Sequence, residues 1–191
     1  MSLATATRTL EGVEVPATGT WEIDRSHSTV GFVARHLMVA KVRGRFGEFD
    51  GTIHIAEAPE DSHVEVSIEA ASIDTRDSKR DAHLRSGDFL DVENHPTLSF
   101  RNTGFIQTGE TTFDLPGELT IRGVRRPVVL HATFDGITPD PWGNTRAAFT
   151  AETEIDREVF GLTWNVALET GGVLVGKQVK IQIELEAVRA A

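Results

Sequence analysis

Cysteine is absent from the chain, which excludes disulfides, thiolate nucleophiles and zinc or iron–sulfur centres held by sulfur. Runs of lysine and arginine are absent too, and the formal net charge is −10. The field of such a chain repels phosphate backbones and anionic lipid surfaces, so nucleic acid is not an expected partner. No stretch reaches the roughly 18 uninterrupted apolar residues of a membrane-spanning helix, because polar residues punctuate every apolar segment; no integral membrane anchor is expected. The opening residues Met1-Ser2-Leu3-Ala4-Thr5-Ala6-Thr7-Arg8-Thr9-Leu10 hold neither a basic region followed by an apolar one nor a small-residue cleavage site. That composition predicts an unexported, cytoplasmic protein.

What is present suits one globular domain: 191 residues, 39% of them hydrophobic, are enough for a single sizeable core. Residues 1–19 end in Pro16-Ala17-Thr18-Gly19 and show no strand or helix periodicity, so they read as an N-terminal tail pinned through Leu10, Val13 and Val15. Residues 20–191 form the expected domain. From Trp21 onward the dominant signal is alternation of period two. Val179, Ile181, Ile183, Leu185 and Ala187 alternate with Lys180, Gln182, Glu184 and Glu186, and similar rows run through Val64 to Ala70 and Val128 to Phe134. Further strands are predicted at Val30 to His36, Val42 to Ile55, Thr97 to Thr103, Thr112 to Ile121 and Thr145 to Ile155, after a short first one at Trp21 to Asp24. About eight half-buried strands make an all-β chain whose economical solution is an antiparallel barrel. Gly44, Gly47, Gly51, Gly117 and Gly123 mark where strands bend or turn.

One segment breaks the alternation. Asp74 to Gly87 reads as a short charged helix, with Thr75 or Asp77 capping its start and Gly87 its end. It is expected to lean on the barrel through Ala82 and Leu84, with Phe89 and Leu90 following, and so to lid one end. Asp24, His27 and Ser28 supply the residue types of a nucleophilic triad, but they crowd into one turn and no Gly-x-Ser-x-Gly elbow exists. A turn held by Asp24 and Ser28 is the expectation, and no catalytic residue is assigned. No histidine pair has helical metal-site spacing. No metal and no cofactor is expected, and His36 and His83 are either satisfied structural groups or contacts to a shared ligand. Inward rows mix Phe32, Phe100, Phe113, Phe134 and Phe149 with Ala34, Ala70 and Ala132, and alternation alone leaves open whether they fill the barrel or surround a ligand.

Several ordered motifs resemble the YceI-like family of lipocalin-like, polyisoprenoid-binding barrels. They are Asp24-Arg25-Ser26-His27-Ser28, Gly44-Arg45-Phe46-Gly47-Glu48-Phe49-Asp50-Gly51, Ser72-Ile73-Asp74-Thr75 with Arg80-Asp81-Ala82-His83-Leu84, and Asp88-Phe89-Leu90-Asp91 with His95-Pro96. Gly117-Glu118-Leu119-Thr120-Ile121-Arg122-Gly123-Val124 and Asp156-Arg157-Glu158-Val159-Phe160-Gly161 continue the order. The resemblance implies an eight-stranded barrel with an elongated apolar cavity, partly closed by the inserted helix, that binds polyisoprenoid, isoprenoid quinone or fatty-acid-like lipid and often forms a homodimer. Arg125 stands where the family often has Thr. On this reading the ligand touches Val30, Phe32, Ala34, His36, Val66, Ile68, Phe100, Leu119, Leu130, Trp164, Val179, Ile181 and Ile183, and its polar head meets Arg76, Arg80 and His83 on the helix. For the helix charges the alternative is a solvated face with its own ion pairs. Two further functions stand beside the carrier: a barrel enzyme using His27, His36 or His83 with a carboxylate on an amphiphilic substrate, and an interaction module with a filled core.

Overall fold

Strands with one dry and one wet face leave edges unpaired, and this chain removes them by closing its sheet on itself. The computed structural model describes residues 7–10, 12–37, 39–169 and 171–190. β1 (Thr7–Leu10) and β2 (Val13–Pro16) pair as a separate hairpin. β3 (Gly19–Ile23) and β4 (Thr29–His36) are two halves of one strand, interrupted by a single 3-10 turn at Arg25–His27. β5 (Ala40–Phe46) and β6 (Phe49–Ile55) follow, broken at Gly47, and β4 pairs β5 while β3 pairs β6. Next come β7 (His63–Glu69), β8 (Ile73–Asp74), α1 (Ser78–Arg85), β9 (Thr97–Asn102) and β10 (Ile106–Gln107). β11 (Thr112–Ile121), β12 (Val124–Pro139), β13 (Thr145–Asp156) and β14 (Val175–Arg189) complete the chain.

With each broken strand counted once, eight antiparallel strands run round the barrel in chain order. β14 closes it, pairing with β13 on one side and with β3 and β4 on the other. The all-β barrel of about eight strands with one inserted helix is what the chain forms. The segment expected as a tail differs: residues 7–16 make a hairpin whose strands are too short for periodicity to reveal. Residues 1–6, part of the stretch on which the export reading rests, and the Leu10 side chain lie outside the described residues.

The topology gives the barrel two unlike ends. One gathers α1, the β4–β5 and β11–β12 turns and the long segment between β13 and β14; it is the lid end. The other gathers the β1–β2 hairpin and the loops after β6, β9 and β12; it is the hairpin end. At the lid end Asp77 caps α1, its carboxylate accepting from Lys79 N and Arg80 N at 3.1 Å each. The helix stops at Arg85, with Ser86 rather than Gly87 as its cap. Leu84, Phe89 and Leu90 pack on the core as expected, but Ala82 is exposed. Asp81 is buried in its place, because its Oδ1 accepts from Thr75 N (2.9 Å) and Thr75 Oγ1 (2.6 Å). On so short and polar a helix, that hydrogen-bonded pair, not apolar area, selects the inward face.

Candidate functional site

The inward rows do not meet at the barrel axis. They surround a cavity of about 710 Å³, within the range of small-molecule sites. It extends from Ile73, Leu84, Phe89, Leu90 and Leu162 at the lid end to Arg8, Val13, Val15, Pro16 and Phe105 at the hairpin end. Of the residues expected to touch a ligand, β4 contributes Val30, Phe32 and Ala34 to the wall, and β7 contributes Val66 and Ile68. Phe100 comes from β9, Leu119 from β11, Leu130 from β12, and Val179, Ile181 and Ile183 from β14. Two glycines make room for the large rings. A methyl group on Gly44 would collide with the Phe32 ring, and one on Gly117 with that of Phe100, so each phenylalanine lies across its neighbouring strand instead of blocking the lumen.

The remaining expected residues are elsewhere. His36 ends β4 opposite Val175 and is not part of the wall. Trp164 stands behind the wall in an aromatic cluster, edge-on to His83 at 4.5 Å and tilted against Phe89 at 5.3 Å. His83 Nε2 is 2.8 Å from Asp88 Oδ2. Arg80 spends its guanidinium on the turn before the helix, donating from Nε to Thr75 Oγ1 (2.7 Å) and from Nη2 to Thr75 O (2.8 Å). Arg76 is exposed at a left-handed φ of 62°. Arg76, Arg80 and His83 are not among the residues that line the cavity, and Thr75 and Asp88 engage Arg80 and His83.

Two arginines that alternation did not point to do line the cavity. Arg157 is 3% exposed. It donates from Nε to Gly176 O (2.9 Å), from Nη1 to Leu162 O and Trp164 O (3.0 Å), and from Nη2 to Val175 O (3.3 Å). Burial lowers its pKa from the ordinary guanidinium value, and its carbonyl partners stitch the segment after β13 to the start of β14. Arg8 holds the hairpin to the loop after β6 through Ala56 O (2.8 Å) and Glu57 O (3.0 Å). The flanking residues carried no signal: Arg8 sits between Thr7 and Thr9, and Arg157 between Asp156 and Glu158. Polar lining residues gather at the hairpin end, where Ser62, His63, Gln107, Glu110 and Thr112 join the wall.

The Asp24 cluster is outside the barrel. Ser26 Oγ donates to Asp24 Oδ1 (2.6 Å), His27 Nδ1 is 3.0 Å from Asp24 Oδ2, and Arg146 Nη1 donates to the same oxygen (2.5 Å). These bonds, that from Ser26 first and that from Arg146 next, hold the Asp24 carboxyl well below the usual carboxylate range. Ser28 Oγ bridges to the backbone of Glu186 on β14. The group ties the break between β3 and β4 to the wall, and neither Asp24 nor His27 touches the cavity. No group of three or more metal-ligating side chains occurs among the described residues.

Comparison with known proteins agrees with this geometry. The YceI-like domain matches residues 21–187. A UPF0312 protein of Azotobacter vinelandii is 43% identical over 137 residues, 71% of each chain. One of Ectopseudomonas mendocina is 43% identical over 138 residues, 72% of each chain. Among solved structures, BcnA of Burkholderia cenocepacia superposes with a TM-score of 0.73 at 21% identity, covering 86% of this chain and 98% of that one. A polyisoprenoid-binding domain of Saccharophagus degradans superposes with a TM-score of 0.70 at 13% identity, covering 91% and 100%. At such identities the two structures speak for the fold alone.

Proposed function

We propose, from the premise that this chain belongs to the family of YceI-like domains, that its barrel holds one long-chain apolar or amphiphilic molecule. The ligand class is polyisoprenoid, isoprenoid quinone or fatty-acid-like lipid, and the protein acts as carrier, store or scavenger without chemistry of its own. The observation that carries this reading is the apolar cavity of about 710 Å³ reaching from lid to hairpin. A filled interaction module has no use for that space. An enzyme using His27 or His83 would need those groups at the cavity, and they are engaged outside it. The polyisoprenoid named for the Saccharophagus degradans domain supports the ligand class.

Each methylene-sized group buried contributes up to about 0.8 kcal/mol, so a few isoprene units offset an association cost on the order of 4–15 kcal/mol. Affinity is then expected to rise with chain length and level off when the cavity is full. The test is mass spectrometry of organic extracts from natively purified protein beside Ala132→Trp, which fills the lumen from β12. A stoichiometric long-chain species present in the first and lost from the second sustains the proposal. A protein that purifies empty and also refuses added polyprenyl and fatty-acyl chains overturns it.

A further inference from the structure

The lid end offers a ligand few polar atoms, since its buried charges already have partners. The hairpin end is different. Arg8 on β1 is fixed to Ala56 and Glu57 after β6, while β2 packs against β12, which stands four strands away round the barrel. The hairpin therefore spans the opening, with Val13, Val15 and Pro16 facing the cavity. It precedes residues 21–187, the part that matches the family. Arg8 lines the same cavity, and its Nε is shielded from water yet finds no acceptor among the described residues. A buried donor left unmade is destabilising, and a donor kept in that state beside a cavity is suited to an acceptor arriving with the ligand.

We propose that the β1–β2 hairpin caps the ligand chamber and that Arg8 Nε donates a hydrogen bond to a neutral acceptor oxygen, a hydroxyl or carbonyl, at the end of the bound chain. The inference rests on the reading of the cavity as a lipid chamber and fixes the ligand's direction, with its polar end at the hairpin. Local charge selects a neutral head. Glu57 Oε2 lies 3.5 Å from Arg8 Nη1, Glu110 is on the same rim, and the whole chain carries −10. A phosphate would bring roughly two further negative charges to one guanidinium that is already shared.

Equilibrium binding to the full-length protein and to Arg8→Met is measured with three probes of equal carbon count: a polyprenyl alcohol, the corresponding polyprene hydrocarbon and the polyprenyl phosphate. The unsubstituted protein is expected to prefer the alcohol to the hydrocarbon by on the order of tenfold, the contribution of a hydrogen bond from a charged donor, and to bind the phosphate more weakly than the alcohol. Arg8→Met is expected to bring the alcohol to hydrocarbon ratio near one. The release rate of the hydrocarbon is read alongside: an unchanged rate assigns the lost preference to the donor, whereas faster release of both probes in parallel overturns that assignment in favour of a loosened hairpin. An unchanged ratio in Arg8→Met overturns the head-group site and leaves the lipid chamber standing. A phosphate bound more tightly than the alcohol overturns the neutral head. Failure of the unsubstituted protein to bind any probe overturns chamber and head-group site together.

Discussion

The two ends of the barrel are closed by different means. At the lid end the polar groups of α1 and of the segment after β13 interlock: Asp81 with Thr75, Arg80 with Thr75, Arg85 with the carbonyls of Ala71 and Ile73, Arg157 with four carbonyls. Phe160, Leu90 and Phe89 are buried beneath them. The hairpin end is crossed by two four-residue strands, held by Arg8, by Trp21 Nε1 donating to Ala17 O (3.0 Å) and by Arg189 donating to Thr18 O (3.1 Å). On the proposed function, the chamber would load through the hairpin end, which can open at less cost than the core-built lid end.

The contrast can be tested by substitution, from the largest expected loss to the smallest. Phe160, 1% exposed, roots the lid end, and Phe160→Ala is expected to lower the unfolding free energy by about 3–5 kcal/mol in urea titrations; a loss near zero would mean that this end is as soft as the other. Arg157→Met removes the Arg157 donor from the carbonyls of Gly176, Leu162 and Trp164, while Val175 O keeps Asn165 Nδ2, and costs about 3 kcal/mol by the same measurement. Thr75→Val keeps shape but removes the Oγ1 bonds to Asp81 and Arg80 while their bonds to the Thr75 backbone remain, with an expected cost of about 2 kcal/mol. Val13→Ala on the hairpin changes global stability by less than about 1 kcal/mol, since its strand contributes little to the core.

Between the last two in size is an effect that depends on pH. The Asp24 carboxyl titrates below its unfolded value, so its contribution is complete above an unfolded pKa of about 3.9 and is lost as pH falls through the folded value. Asp24→Asn should cost about 1.5 kcal/mol at neutral pH, with the two stability curves converging on acidification. A constant gap down to strongly acidic pH would show that Asp24 does not carry the dependence.

Much of this was legible in the chain. The alternation of β14 and β12 identified which side chains face inward, and Leu130, Val179, Ile181 and Ile183 do line the cavity. Asp77 could be read as a helix cap because capping is a contact between near neighbours. The hairpin was not legible: Val13, Glu14 and Val15 show one alternation, too little to separate from chance, and its closure depends on Ala56, far along the chain. The partners of the helix charges were not legible either. Arg80 and His83 sit where a mouth was expected, and only the positions of Thr75 and Asp88 reveal that both already have partners.

Strand faces, turns and the helix start follow from local sequence, because each is set by residues within a few positions of one another, and period-two strands with one wet face lead to a closed antiparallel sheet. The tertiary structure decided that the lumen is open, since this depends on how Phe32 and Phe100 lie against glycines on adjacent strands. It also decided that Arg8 and Arg157, not the helix cations, line the chamber. Those outcomes are distances across the barrel between residues far apart in the chain, and no local pattern encodes them.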